Sequence, residues 1–390
     1  MPQASNRNAV RALFAVTAAL FLLRLAWILR EPDLDGDAYG HFGIGCTLAT
    51  DPKNLAAHWV WLPLYHYLLA GFVWLRLPFA AVRVTADLCS LAVPWALYRF
   101  VHRHSGDALV ARDAAIACAV SSSSNMLGVS AQQEALFVLV VLLAASAIEA
   151  RRMLGAGLLL ATACLIRYEA WGAAAAVAAQ GILLRVVAKG PLPQRLRAWL
   201  GRFGEPLPPA VFVPPALAIA GWILVHRLVS GEWLGFLREL YTFTHTQRAA
   251  FSHGPVFDAV WFPVLVPALL FGPALLLLPL GVRRAVSRGW IVPLAVYAFL
   301  LSSYAGGGSL GGSRYYGSLV PFFCAAMAYG VQALPARFPR GVARAVLWGS
   351  LGLACAGSFV QMERDASARR DGLRVMEREL DARARAAVGG

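Results

Sequence analysis

Residues 11–41 read RALFAVTAALFLLRLAWILREPDLDGDAYGH. The part up to Arg30 is apolar between its arginines, and it is long enough to span a bilayer, which takes about 20 such residues. It follows the short basic leader MPQASNRNAVR, and no small-residue cleavage pattern comes after it. It therefore predicts a retained signal-anchor with its N-terminus inside. Arg24 sits about 9 Å along this helix from Arg30, close enough to snorkel to the outer interface. The acidic run from Glu31 opens a first outer loop, residues 31–58.

The whole chain has the same character. Of its 390 residues, 59% are hydrophobic and 14% charged, with a mean hydropathy of +0.60. Soluble domains carry about 45–50% apolar and about 25% charged residues. The composition excludes a disordered chain, a coiled coil and a collagen, and predicts an all-α polytopic membrane protein. The net charge of +14 comes mostly from arginine, since Lys53 and Lys189 are the only lysines. These basic residues fall in short stretches between apolar blocks, where they orient a membrane chain. They form no stripe suited to nucleic acid, and no such partner is expected. The six cysteines include no CxxC pair, so neither a disulfide framework nor a zinc site is written here. Cys46 reads as a loop residue.

Further apolar segments cover residues 59–77, 79–100, 107–127, 131–150, 153–187, 209–229, 258–281, 290–304, 315–334 and 343–361. Together they predict about 10–12 transmembrane helices. Basic stretches at 185–202, 283–288 and 337–344 belong inside, which leaves 230–257 and 305–314 outside. Residues 59–77, with Pro63, two histidines and many aromatics, read as an interfacial or half-inserted helix. One crossing then lies between 59 and 100 and two within 153–187; the alternative is two and one. The chain divides into an N-terminal module 1–230, an outer interfacial loop 231–257, C-terminal helices 258–361 and a charged tail 362–390. Leu373, Met376, Leu380 and Ala384 give the tail a helical period. It is expected on the outer surface or packed against the body.

Chemistry concentrates first in Asp35-Gly36-Asp37-Ala38-Tyr39-Gly40-His41. Two carboxylates two residues apart in a glycine-containing loop converge on one point. There they bind a divalent cation such as Mg or Mn, or one serves as a general base beside the other. Tyr39, His41 and His58, at the end of the loop, are expected to line the same cleft.

DGDAYGH, followed by HWVWLPLYHYLL, resembles the start of the GT-C class of integral membrane glycosyltransferases, which includes protein O-mannosyltransferases and aminoarabinose transferases. SAQQEALF at 130–137, LIRYEAW at 165–171 and GGSRYYGSLVPFF at 311–323 follow in the order of that class. The resemblance implies a GT-C fold with an outer-face cleft. It also implies a sugar donor on a polyprenyl-phosphate carrier, an acceptor of unknown kind, and inverting transfer on the outer side of a bacterial cytoplasmic (inner) membrane, facing the periplasm or exterior. Carried over, Asp37 is the expected base and Asp35 its partner. The Asp-Gly-Asp form, where family members often show Asp-Glu, leaves open which acid is equivalent and whether a metal is needed.

Glu134 opens an apolar helix. It reads either as a satisfied helix-end residue or as an acid facing the first loop. Arg167, Tyr168 and Glu169 interrupt a long apolar run, where charged residues usually face a cavity. They read as a structural ion pair or as a site in which Arg167 binds the carrier phosphate through its planar fork. Arg314 is the second phosphate candidate, flanked by Tyr315; the other reading is an interfacial arginine with tyrosine anchors. Gly306, Gly308 and Gly311 match GxGxxG, but no strand precedes them and no ribose-binding acid follows. The better reading is a mobile loop over a cleft. Trp233, Phe236, Leu237 and Leu240 fit one face of an interfacial helix, and His245 with His253 is a weak metal pair. A transporter or flippase of lipid-linked saccharide is the alternative function. It calls for an inside-facing counterpart of the acidic and basic pairs, and the sequence offers none.

Overall fold

The computed structural model describes residues 2–58, 60–187, 205–251, 255–309, 312–335 and 337–389, and these contain helices and no strand. In chain order they are α1 (Pro2–Arg30), α2 (Gly36–Thr50), α3 (Pro63–Trp74), α4 (Phe79–Ser105), α5 (Ala108–Ala119), α6 (Ser122–Val129), α7 (Glu134–Glu149), α8 (Met153–Cys164), α9 (Glu169–Val187), α10 (Pro209–Ser230) and α11 (Gly235–Phe251). After these come α12 (Pro255–Val260), α13 (Val266–Phe271), α14 (Leu278–Ala285), α15 (Ile291–Ala305), α16 (Val320–Ala333) and α17 (Arg340–Gly389). Among the described residues five helices are long and apolar enough to cross a membrane: Asn6–Arg30, Phe79–Ser105, Pro209–Ser230, Phe257–Ala285 and Arg340–Val388. Of the basic stretch 185–202, residues 188–202 lie outside the described residues, as do Trp59, His253 and Gly311.

Polar contacts gather at two opposite ends of the bundle. At one end Glu149 accepts from Ser287 Oγ at 2.8 Å and from Gly289 N at 3.1 Å, and Arg288 donates to Glu205 O at 2.9 Å. His104 meets Arg284 O there at 3.2 Å. The other end holds the N-termini of α2, α4, α7 and α9. Segment 153–187 is two helices, broken at 165–168, and α3 spans only about 18 Å at 1.5 Å per residue. Segment 258–281 is one path with irregular turns at Trp261–Leu265 and Gly272–Leu277. Pro263, Pro267, Pro273 and Pro279 cause this, because each removes a helix donor.

Three expectations are corrected. Arg24 does not snorkel. It is 1% exposed, pairs with Asp87 at 3.1 Å and donates to Asn125 Oδ1 at 2.9 Å. Gly128 leaves room for it, since a Cβ there would press on the guanidinium. Cys46 is not a loop residue but a buried residue of α2. The tail is no separate unit: α17 runs unbroken from the last span, and Leu380 and Ala384 pack with Tyr39, Phe42 and Phe79.

Removing one member of a buried ion pair strands the other charge. Arg24→Ala is expected to destabilise the protein by about 3–5 kcal/mol. Arg24→Met combined with Asp87→Leu should recover most of that loss. Unfolding in detergent micelles measures both.

Candidate active site

Three helices deliver acids from their first turns: Asp37 from α2, Glu134 from α7 and Glu169 from α9. The partial positive charge of a helix N-terminus favours a carboxylate there. Asp35 caps α2, its side chain accepting from Asp37 N at 3.0 Å. Two arginines from irregular segments meet these acids. Arg167, in the α8–α9 break, contacts Glu169 Oε1 through Nη2 at 2.7 Å and also donates to Glu134. Arg314 contacts Asp37 Oδ2 at 2.7 Å, Asp35 Oδ2 at 3.5 Å and Glu134 Oε1 at 3.8 Å.

Charge on both arginines is well supported. Burial pulls against it. For Arg167 the neighbouring Glu169 and Glu134 more than offset burial, and for Arg314 Glu134, Tyr315, Asp37 and Asp35 do so, holding each guanidinium above its ordinary range. For Asp35, burial pushes the carboxyl up and Arg314 pulls it back only in part. The Tyr315 ring is near both guanidiniums, its centroid 5.3 Å from Arg167 and 5.6 Å from Arg314, within the range at which a ring attracts a cation.

These groups surround a cavity of about 130 Å³ that Asp37, His41, Glu134, Arg167, Tyr168, Glu169, Arg314 and Tyr315 all line. Its size is near that of the roughly 150 Å³ cavities that hold one benzene-sized ring. Leu240 and Thr244 of α11 close one side, and Phe299, Ser303, Gly308 and Ser309 another. The cavity thus takes walls from the N-terminal module, from α11 and from the later helices. Trp233 is corrected: it precedes α11 and is exposed, whereas Phe236 is buried and Leu237 packs beside it.

Tyr39 and His58 do not line this cavity. Tyr39 stacks on Phe79 at 5.2 Å and donates to Asp33 O at 2.8 Å, so it fixes the first loop from behind. Asp33, adjacent to it, accepts from Ser130 Oγ at 2.9 Å and Ala131 N at 2.7 Å, tying that loop to the start of α7. His58 belongs to a buried chain of rings. His41 Nδ1 lies 2.8 Å from His66 Nε2, and His66 Nδ1 lies 2.8 Å from His58 Nδ1. Burial lowers the pKa of His41 and of His58 to about 4 and that of His66 well below its usual value.

Residue types alone did not single out His66, Gln132 or Gln133. Gln132 Nε2, Gln133 Oε1 and Glu134 Oε2 are buried without a hydrogen-bond partner among the described residues, and all three residues line the cavity. The tripeptide Gln132-Gln133-Glu134 at a helix start was the available signal. Its offer of a donor and two acceptors suits a polyhydroxylated ligand better than an apolar one.

A divalent cation does not fit the donor set as arranged. Asp35 and Asp37 both face Arg314, and the described residues hold no group of three or more His, Cys, Asp or Glu side chains able to hold a metal ion.

The histidine chain sets a pH dependence. Between pH about 6.5 and about 4 the unfolded chain binds protons at these rings that the folded chain does not. Stability therefore falls as pH drops through that window. The thermal midpoint is expected to be lower at pH 5 than at pH 7.5, and His41→Gln with His58→Gln should flatten the slope. No family model, curated protein or solved structure matches the chain.

Proposed function

We propose that the protein is an integral membrane glycosyltransferase with a GT-C fold of about 10–12 spans. In this reading it moves a sugar from a polyprenyl-phosphate carrier to an acceptor hydroxyl at the outer face of a bacterial inner membrane. The observation that carries the reading is the cavity itself. Asp37 and two arginines converge in a space the size of one ring, with unpaired amide and carboxylate groups beside them.

Asp37 takes the proton of the acceptor hydroxyl as the oxygen attacks the anomeric carbon. The bond from that carbon to the carrier phosphate breaks, and its electron pair leaves on the phosphate oxygen. Arg167 is engaged closely by Glu134 and Glu169. Arg314 holds Asp35 and Glu134 only at 3.5 and 3.8 Å, so it can exchange those contacts for a phosphate oxygen. A carboxylate gripped by a guanidinium is a poor base, and phosphate capture by Arg314 loosens the grip on Asp37. Donor binding would thus prepare the base. Positioning and stabilisation of the leaving phosphate supply the rest of the rate.

The test is transfer from a labelled polyprenyl-phosphate sugar to a panel of acceptors by purified protein. Asp37→Asn should lower kcat by about 10²–10⁴. Arg314→Ala should raise the donor KM by roughly tenfold or more, as expected for loss of a charged hydrogen bond. Undiminished transfer by Asp37→Asn would remove that residue as the base.

A further inference from the structure

We propose that the buried rings of His41, His66 and His58 form a proton relay, one end of which opens on the cavity while the other lies behind its wall. Its use in catalysis rests on the transferase reading above; the relay itself does not.

The rings lie end to end. His41 Nδ1 is 2.8 Å from His66 Nε2, and His66 Nδ1 is 2.8 Å from His58 Nδ1. They are 1%, 0% and 0% exposed. Both nitrogens of His66 are in use, so His41 and His58 each keep Nε2 as a chain end. His41 lines the cavity, which puts one end there. Asp37 stands four residues before it on α2, on the same face of the helix. The other end, His58 Nε2, is buried with no hydrogen-bond partner among the described residues. The His58 ring is 5.3 Å from that of half-buried Tyr67, so this end lies one side chain from the surface. Packing alone would leave that nitrogen dry and unpaired, which an apolar ring at the same place avoids.

Counting protons makes the chain bistable. Burial keeps the rings neutral at pH 7, and a neutral imidazole carries one N–H and one lone pair. Three rings bring three of each, and the two ring-to-ring bonds use two of each. One donor and one acceptor remain, at opposite ends. Where His41 Nε2 is the acceptor, His58 Nε2 is the donor. A proton taken up at His41 Nε2 then sends the Nδ1 proton to His66, which sends its own Nδ1 proton to His58, which releases one from Nε2. On each ring one N–H forms and one breaks, and all three end neutral. A proton entering at His58 reverses every step. The charged groups that act on the chain sit at its ends: Glu134, Asp37, Arg314 and Arg167 around His41, and the titratable His226 near His58. In the transferase, Asp37 hands the acceptor's proton to His41, and the return passage supplies one to the leaving phosphate and resets the chain.

The first measurement is nitrogen NMR of the full chain in detergent micelles, with histidine labelled at both ring nitrogens. A relay requires His66 to exchange between its two tautomers, so both its signals should fall between the pure N–H and lone-pair positions. One fixed tautomer at every temperature overturns the proposal, whether or not the protein transfers sugar. The second measurement is transfer by His66→Gln, His66→Phe and His58→Ala. Each should lower kcat about 10²-fold with the donor KM unchanged, and added imidazole should restore His58→Ala alone. His66→Phe keeps a ring and breaks the path, so unchanged kcat in that folded protein overturns the relay. No transfer by the unaltered protein overturns the glycosyltransferase reading instead, and the NMR result still decides the relay.

Discussion

The grip of two arginines on four carboxylates is the constraint from which the rest of this molecule follows. Asp37, Glu134 and Glu169 stand at the starts of three helices, and their charges are brought close together. Brought together without cations they would repel one another in a poorly hydrated setting, where charge interactions are strong. Arg167 and Arg314 turn that repulsion into attachment. Each arginine sits in a break in the helical path, one between α8 and α9 and the other in the turn Ser313–Ser318. The breaks are what allow a guanidinium to lie across helix ends. A continuous helix would carry its side chain along its flank.

The pairing also orders the site's chemistry. Bonds to Arg167 are short, and most of those to Arg314 are long. In the proposed mechanism Arg167 is then the scaffold and Arg314 the exchangeable cation.

Much of this was legible in the sequence, for a physical reason. A charge inside an apolar block is expensive, so each one kept there points to a partner. Glu134, Arg167 and Glu169 stand out that way, Asp37 stands out as one of two close acids in a glycine-containing loop and Arg314 as the cation after a glycine-rich one, and all five come together. Reading adjacency as orientation failed. Tyr39 stands two residues from Asp37 yet turns to the opposite face of α2, and His58 closes the loop but lies behind the cavity wall. Partner identity was hidden as well. Nothing local ties Arg24 to Asp87, and the amides of Gln132 and Gln133 look ordinary until the cavity forms around them. The breaks in 258–281 were visible as prolines, whereas the continuity of α17 was obscured by its change from apolar to charged surface at mid-length.

That continuity has a consequence for biogenesis. Glu377, on the far part of α17, accepts from Asp33 N at 3.0 Å across a separation of 344 residues, and lies 3.6 Å from Arg83. At ribosomal rates of about 5–20 residues per second, the first loop is made roughly 20–70 s before the segment that fastens it. For that interval the acidic loop is without its clamp. The order of synthesis itself therefore sets how soon the first loop can be fastened.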